Sequence, residues 1–477
     1  MNRPIVRLYG LVFLLFALLI AFTSRWTIFE ASSLRANALN KRGVLQQQRI
    51  DRGEIVAADG TVLARSVRGA EGTFTRRYPT GAQFTHPVGY SNITFGQSGI
   101  ERYRSAALDG QTGTSVQSIL DQIQGRKPRG DNVITALKPA AQRVAIAALG
   151  EHEGAVVALQ PKTGAVEVMA STPSYNANAL VSVSAYERLT QNSGAPLVNR
   201  AVQFGYAPGS TFKVVTSVAA IDSGEYTPES TVSGRNEVPI SGLPLKNDDN
   251  ESFGQITLTK ALAQSVNTVY AQVAEHIGKQ TLARYMRRFG FGRKPQLDYP
   301  AEEMSSSGEY RNGKLLPPTS TYVDVGRMGI GQDKLRVTPL QMAEVAAAVA
   351  NHGTLMRPRL ASAIVEPDGH VVQRVSPKVQ SVVMKPSTAA SVTKMMEAVV
   401  NEGTGTPAQI PGIQVAGKTG TAETLGVSSI NNVWFIAFAP AQNPTVVVAA
   451  TLKGVPGQGA GFAAPVARQV MEALLHG

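Results

Sequence analysis

Apolar and polar positions change rhythm several times along this chain. Residues 8–23 (LYGLVFLLFALLIAFT) are apolar throughout, near the lower length limit for a helix that spans a bilayer. Residues 27–150 mix short apolar runs with glycines and polar residues. Within them, Asp59-Gly60 between two apolar runs is a hairpin signal. From Gly154 the runs lengthen. Residues 155–159 and 165–170 flank Pro161-Lys162-Thr163-Gly164, which predicts two strands and a tight turn. Pro208-Gly209 then breaks the backbone before a helix-compatible run over 211–221. A long, mostly helical stretch follows, with helices expected at 258–264, 268–277, 280–289 and 338–351. Three strands are expected at 412–421, 432–438 and 445–452, and a last helix at 464–475. Strands at both ends with helices between predict one α/β domain whose ends share an antiparallel sheet.

Length and charge add detail. A chain of 477 residues exceeds one ordinary core and predicts two or three domains. The expected division is a cytoplasmic tip and transmembrane anchor at 1–26, an irregular strand-rich spacer at 27–150 and an α/β domain at 151–477. Arg3 and Arg7 precede the apolar run, while Arg25 and Trp26 follow it. That order favours an amino end in the cytoplasm and Trp26 at the far interface. A cleaved signal peptide is the rival reading. The run is followed by no clean Ala-x-Ala, which favours an uncleaved anchor. Either way the remaining chain lies outside the cytoplasm. The chain has no cysteine, which excludes disulfides and cysteine-ligated metals. Its six histidines lack metal-ligand spacing, so neither metal nor cofactor is expected. The net charge of +12 is dispersed rather than blocked. It fits anionic lipid heads or an acidic wall polymer, or else a merely soluble basic surface; nucleic-acid binding is the weakest option.

Chemistry enters at Ser210-Thr211-Phe212-Lys213, at the mouth of the 211–221 helix. Three-residue spacing puts the two side chains on one face. A lysine made neutral by its surroundings can take the serine proton, and free N–H groups at the helix start face developing negative charge. Ser391-Val392-Thr393-Lys394 has the same spacing, but it reads as the exposed side of an amphipathic helix. Two further segments separate the candidates. Ser265-Val266-Asn267 lies between helical runs, and Lys418-Thr419-Gly420-Thr421 ends the first closing strand. Lys418 and Gly420 should face one way there, Thr419 and Thr421 the other. Decoys exist at Ser174-Tyr175-Asn176, Ser429-Ile430-Asn431 and Lys162-Thr163-Gly164. Only Ser210, Ser265 and Lys418 give the order nucleophile, Ser-x-Asn, Lys-Thr-Gly. In the spacer, Arg52 and Glu101 read as internal salt-bridge or packing residues.

This ordered trio resembles the penicillin-binding proteins. Arg52-Gly53-Glu54-Ile55, Asp59-Gly60-Thr61-Val62-Leu63-Ala64, Gly329-Ile330-Gly331-Gln332, Thr338-Pro339 and Asn351-His352-Gly353 are similar to class B landmarks. Within that class the short penicillin-binding protein A type is the nearest likeness. No Glu-Asp-x-x-Phe-x-x-His-x-Gly glycosyltransferase signature is present. The resemblance implies the penicillin-binding-protein and serine β-lactamase-like fold, a five-stranded antiparallel sheet with helices on both faces, after a non-catalytic, dimerisation-like pedestal. It implies a membrane-bound, serine-type peptidoglycan D,D-transpeptidase that β-lactams inhibit. Ser210 would attack the penultimate D-Ala carbonyl of a stem peptide and Lys213 would take its proton, with neighbouring Lys418 lowering the Lys213 pKa. Ser265 would relay a proton to the departing D-Ala and Asn267 would bind a substrate amide. Lys418, Thr419 and Thr421 would hold the terminal carboxylate beside Gly420, and the backbone N–H groups of Ser210 and Thr421 would form the oxyanion hole. An amine acceptor and a SEDS-family glycan polymerase of the RodA or FtsW type are implied as partners. The alternatives are a D,D-carboxypeptidase or β-lactamase of the same fold, or a β-lactam-binding sensor or scaffold with little turnover.

Overall fold

The computed structural model describes residues 3–24, 48–111, 129–424 and 427–476. Contacts divide the chain into two compact units, one of residues 1–51 and 67–75, the other of 52–66 and 76–477. In the first unit, helix α1 (Arg3–Ser24) is exposed along its length with a mean hydropathy of 2.6. It is long and apolar enough to cross a membrane. Arg25 and Trp26 lie outside the described residues.

The second unit carries β1 (Ile55–Val56), the start of β2 (Val62–Arg68), β3 (Asn132–Thr135), α2 (Pro139–Leu149), β4 (Gly154–Leu159) and β5 (Val166–Thr172). Next come α3 (Lys213–Asp222), α4 (Leu258–Ala263), α5 (Asn267–Phe289), α6 (Pro339–Ala350), β6 (Ala361–Val365), β7 (Val371–Arg374) and α7 (Pro386–Glu402). Strands β8 (Ala416–Thr424), β9 (Val427–Ala439) and β10 (Val446–Val455) and helix α8 (Ala463–Leu475) close it.

The expected sheet forms. Its strand order is β8-β9-β10-β4-β5, antiparallel throughout, and Ala449 of β10 sits opposite Val157 of β4, joining the two ends of the domain. Alternate residues serve opposite faces. Val156, Ala158, Phe435, Ala437 and Val448 pack with α2 and α8, while Val157, Trp434, Ile436, Val447 and Ala449 pack on the side of α6. Both faces are covered, so β4 and β5 are buried at every position and read as continuous apolar runs. Helix α6 is mostly apolar and buried from end to end, Gln341 and Glu344 included, as suits a helix at the centre of a domain. The Thr338 hydroxyl caps it by accepting from Gln341 N at 3.3 Å. The two helices expected at 268–277 and 280–289 are the halves of α5, broken at Gly278, where φ is 75°.

Two expectations need correction, and one pairing was not foreseen. Residues 139–149 fall in the stretch read as strand-rich spacer, yet α2 is a helix that covers β5. The stretch after α3 is not mostly helical. Thr231–Ser233 pairs with Gln255–Thr257, Val238–Ile240 with Leu243–Leu245, and Gly308–Arg311 with Lys314–Leu316. Strands this short show no readable period of two. Finally, β6 returns to pair antiparallel with β3, which lies parallel to β1. Chain from beyond residue 360 thus completes a sheet begun at Ile55. The Asp59-Gly60 hairpin and the Arg52–Glu101 ion pair, at 2.9 Å, form as expected.

Candidate active site

Pro208 leads into a 3-10 turn, Gly209–Phe212, that passes directly into α3. Ser210 therefore sits in the tighter turn and the α-helix starts at Lys213. Residues three apart eclipse in such a turn, and Lys213 N donates to Ser210 O. Gly209 has φ 52°. A Cβ there would lie 2.3 Å from Thr421 O, so only glycine lets the turn rest against β8. Gly209 N donates to Gly331 O at 3.0 Å, and Trp434 Nε1 donates to Ala207 O at 2.9 Å. The turn is thus held from both sides.

Ser265 lies between α4 and α5 with φ 59°, a left-handed backbone that serine rarely adopts and that clusters at functional sites. Val266 N donates back to Ala261 O at 2.9 Å and fixes the bend. Lys213 Nζ donates to Ser265 O at 2.5 Å and Asn267 Oδ1 at 2.7 Å, and approaches Ser265 Oγ at 3.3 Å. Lys418 Nζ reaches the same Ser265 Oγ at 3.0 Å. Three segments far apart in sequence thus converge on one hydroxyl.

On β8 the backbone alternates as expected, Lys418 lying opposite Ile436 and Thr419 opposite Phe435. The Lys418 side chain nevertheless turns back to Thr419, reaching its O at 3.1 Å and its Oγ1 at 3.2 Å. A flexible four-carbon stem permits this, so backbone parity did not keep the two groups apart. Thr421 Oγ1 accepts from Gly459 N at 3.2 Å. A Cβ at Gly420 would lie 2.6 Å from Pro208 O, so β8 and the Ser210 turn touch through backbone.

Both lysines are fully buried. Burial pushes the Lys213 ammonium down to about 7, with Asp248 acting the other way. Burial also holds Lys418 well below the usual lysine range, and the Lys213 charge adds to it. Loss of hydration is the first cause of the Lys213 depression, and the expected like-charge coupling between the two lysines is present, appearing on Lys418.

The decoys lie elsewhere. Lys162-Thr163-Gly164 is the β4–β5 turn, with Gly164 at φ 69°. Ser391 and Lys394 lie on α7, where Lys394 is exposed. Two neighbours were missed. Asp248 Oδ1 accepts from Asn267 Nδ2 at 3.2 Å, and the hydroxyls of Thr404 and Thr419 are 2.6 Å apart. The polar cluster Asn247-Asp248-Asp249-Asn250 and the Gly403-Thr404-Gly405 break were visible signals, though without a spacing rule to connect them to the site.

Residues 154–472 match the penicillin binding protein transpeptidase domain, and residues 52–133 the penicillin binding protein A dimerisation domain. The chain belongs to the penicillin-binding protein transpeptidase family. This penicillin-binding protein is 34% identical over 501 residues to the peptidoglycan D,D-transpeptidase PbpA of Mycolicibacterium smegmatis, covering 100% of this chain and 99% of that one. It is 30% identical over 458 residues to the peptidoglycan D,D-transpeptidase MrdA of Escherichia coli, covering 84% and 71% respectively. The structure of PBPA from Mycobacterium tuberculosis superposes with a TM-score of 0.81 at 32% identity, covering 89% of this chain and 99% of that one. The ceftriaxone acyl-enzyme complex of penicillin-binding protein A from M. tuberculosis gives 0.82 at 32% identity, covering 90% and 100%. The expected class B, A-type resemblance therefore extends over the whole chain.

Proposed function

We propose that Ser210 is the nucleophile of a peptidoglycan D,D-transpeptidase that β-lactams inhibit. The observation that carries this reading is Lys213: fully buried, near neutrality at about 7, and bonded into Ser265 and Asn267. A lysine neutral at working pH is a base. The Ser210 hydroxyl gives its proton to Lys213 as its oxygen bonds to the penultimate D-Ala carbonyl carbon. The backbone N–H groups of Ser210 and Thr421 stabilise the oxyanion, each such donor contributing roughly 3–4 kcal/mol. The C–N bond then breaks, and the proton passes through Ser265 to the departing D-Ala amine. Lys418, Thr419 and Thr421 hold the terminal carboxylate, and Asn267 binds a substrate amide. An acceptor amine next attacks the Ser210 ester carbonyl and gives a proton to Lys213; the ester C–O bond breaks, Ser210 Oγ takes that proton back, and the new amide leaves as the crosslinked product.

The same reading divides the chain into a membrane anchor at 1–26, a pedestal at 27–150 and the transpeptidase at 151–477. It places the catalytic part outside the cytoplasm, beside a SEDS-family glycan polymerase that supplies new strands.

Labelling of the detergent-solubilised full chain with a fluorescent penicillin tests it. Labelling is expected to vanish in Ser210→Ala and to persist in Ser391→Ala. Incubation with a D-Ala-D-Ala stem peptide and an amine is expected to yield crosslinked product; release of D-Ala with hydrolysis alone would make the protein a carboxypeptidase.

A further inference from the structure

We infer that Thr404 is a positioning residue for the substrate carboxylate, acting through Thr419. The inference rests on the proposed carboxylate-binding role of Thr419. Thr404 sits in Gly403-Thr404-Gly405, just after α7, and its backbone is held on two sides. Thr404 N donates to Ala263 O at 3.0 Å, at the end of α4 and two residues before Ser265. Gly405 N donates to Val399 O at 2.8 Å. A Cβ at Gly403 would lie 2.2 Å from Ala263 O, so the segment lies directly on the Ser265 bend. From there the Thr404 hydroxyl reaches Thr419 Oγ1 at 2.6 Å. Thr404 therefore ties the Ser265 segment to β8, the two pieces of chain that share Lys418.

Proton counting gives this contact a chemical role. A hydroxyl has one proton and two lone pairs. Lys418 Nζ donates into one lone pair of Thr419 Oγ1, at 3.2 Å. When Thr404 donates into the other, the Thr419 proton is left for an external acceptor. The opposite arrangement uses that proton on Thr404 and leaves Thr419 nothing to offer an anion. A carboxylate ligand selects the first arrangement, because a hydrogen bond to an ionised acceptor is roughly twice as strong as a neutral one.

The test compares acylation of the full-length protein by a penicillin and by its methyl ester, which lacks the anionic carboxylate. In the wild-type protein the acid is expected to acylate faster. Thr404→Val keeps shape and removes the hydroxyl; it is expected to slow the acid about tenfold and to leave the ester rate unchanged. The acid-to-ester ratio should therefore fall about tenfold, and Thr404→Ser should restore it. An unchanged ratio, whether both rates hold or both fall together, overturns the inference, since a packing role would touch both ligands alike. Acylation surviving in Ser210→Ala would instead overturn the proposed nucleophile, so the two failures read differently.

Discussion

Two of the places where the protein buries positive charge treat it in opposite ways. Near Ile55, the guanidinium of Arg52 pairs with Glu101 at 2.9 Å and with Asp109, and Arg76 pairs with Glu101 at 2.6 Å. Burial works against the Glu101 charge, but Arg76 and Arg52 outweigh it and hold the carboxyl below its usual range. In the candidate active site Lys213 and Lys418 are at least as buried. Among the described residues neither makes an ion pair; their partners are hydroxyl, carbonyl and amide oxygens. A paired buried charge stays charged and serves structure. An unpaired one sheds its proton, and that readiness is what a base needs.

Lys213→Met should show the widest split. Acylation is expected to fall by more than about a thousandfold, because the proposed base is gone. Stability should change by less than about 1 kcal/mol, since relief from burying a cation is offset by the acceptors left on Ser265 and Asn267. Stopped-flow acylation and urea unfolding measure the two halves. A large loss of stability would mean that the lysine works as a structural ion after all.

Glu101→Gln should do the reverse. It leaves Arg76 without its carboxylate, and destabilisation of roughly 3–5 kcal/mol is expected. The acylation rate of the protein that remains folded should hold. Equal damage to both properties would erase the distinction between the two clusters.

The pH response is smaller. As the proposed base, Lys213 must be neutral, so acylation should rise with pH through about 7 and level off above it. At pH 6 the rate should be about tenfold below the plateau. Stability follows the same lysine by linkage. A folded-state value below the ordinary 10.5 means the unfolded chain binds more protons between about 7 and that value, so unfolding free energy rises with pH across this window. Glu101, held low, adds stability that is lost only in the acid range, as pH falls through its depressed value. An acylation profile flat between pH 6 and 8 would contradict the assignment of Lys213 as base.

The smallest effect belongs to the decoy. Lys394→Ala on the exposed side of α7 should leave acylation unchanged and stability within about 0.5 kcal/mol.

Much of this was legible in the chain. Continuous apolar runs at 155–159 and 445–452 mark strands covered on both faces, and that pattern is local. Pro208-Gly209 before an apolar run marks a backbone break followed by a helix, and the order of Ser210, Ser265 and Lys418 separates the site from its decoys. What could not be read depends on contacts between distant residues. The pairing of β6 with β3 leaves no trace in either strand alone. The link from Thr404 to Thr419 joins groups whose types are common everywhere. The burial that brings Lys213 down to about 7 is likewise unmarked in the residues around it. Sequence determines which residues are available and how each segment bends, because those follow from side-chain shape and period. Tertiary structure alone decides how much water reaches a lysine and whether a carboxylate stands beside it, because hydration and charge pairing belong to the assembled surroundings and to no residue by itself.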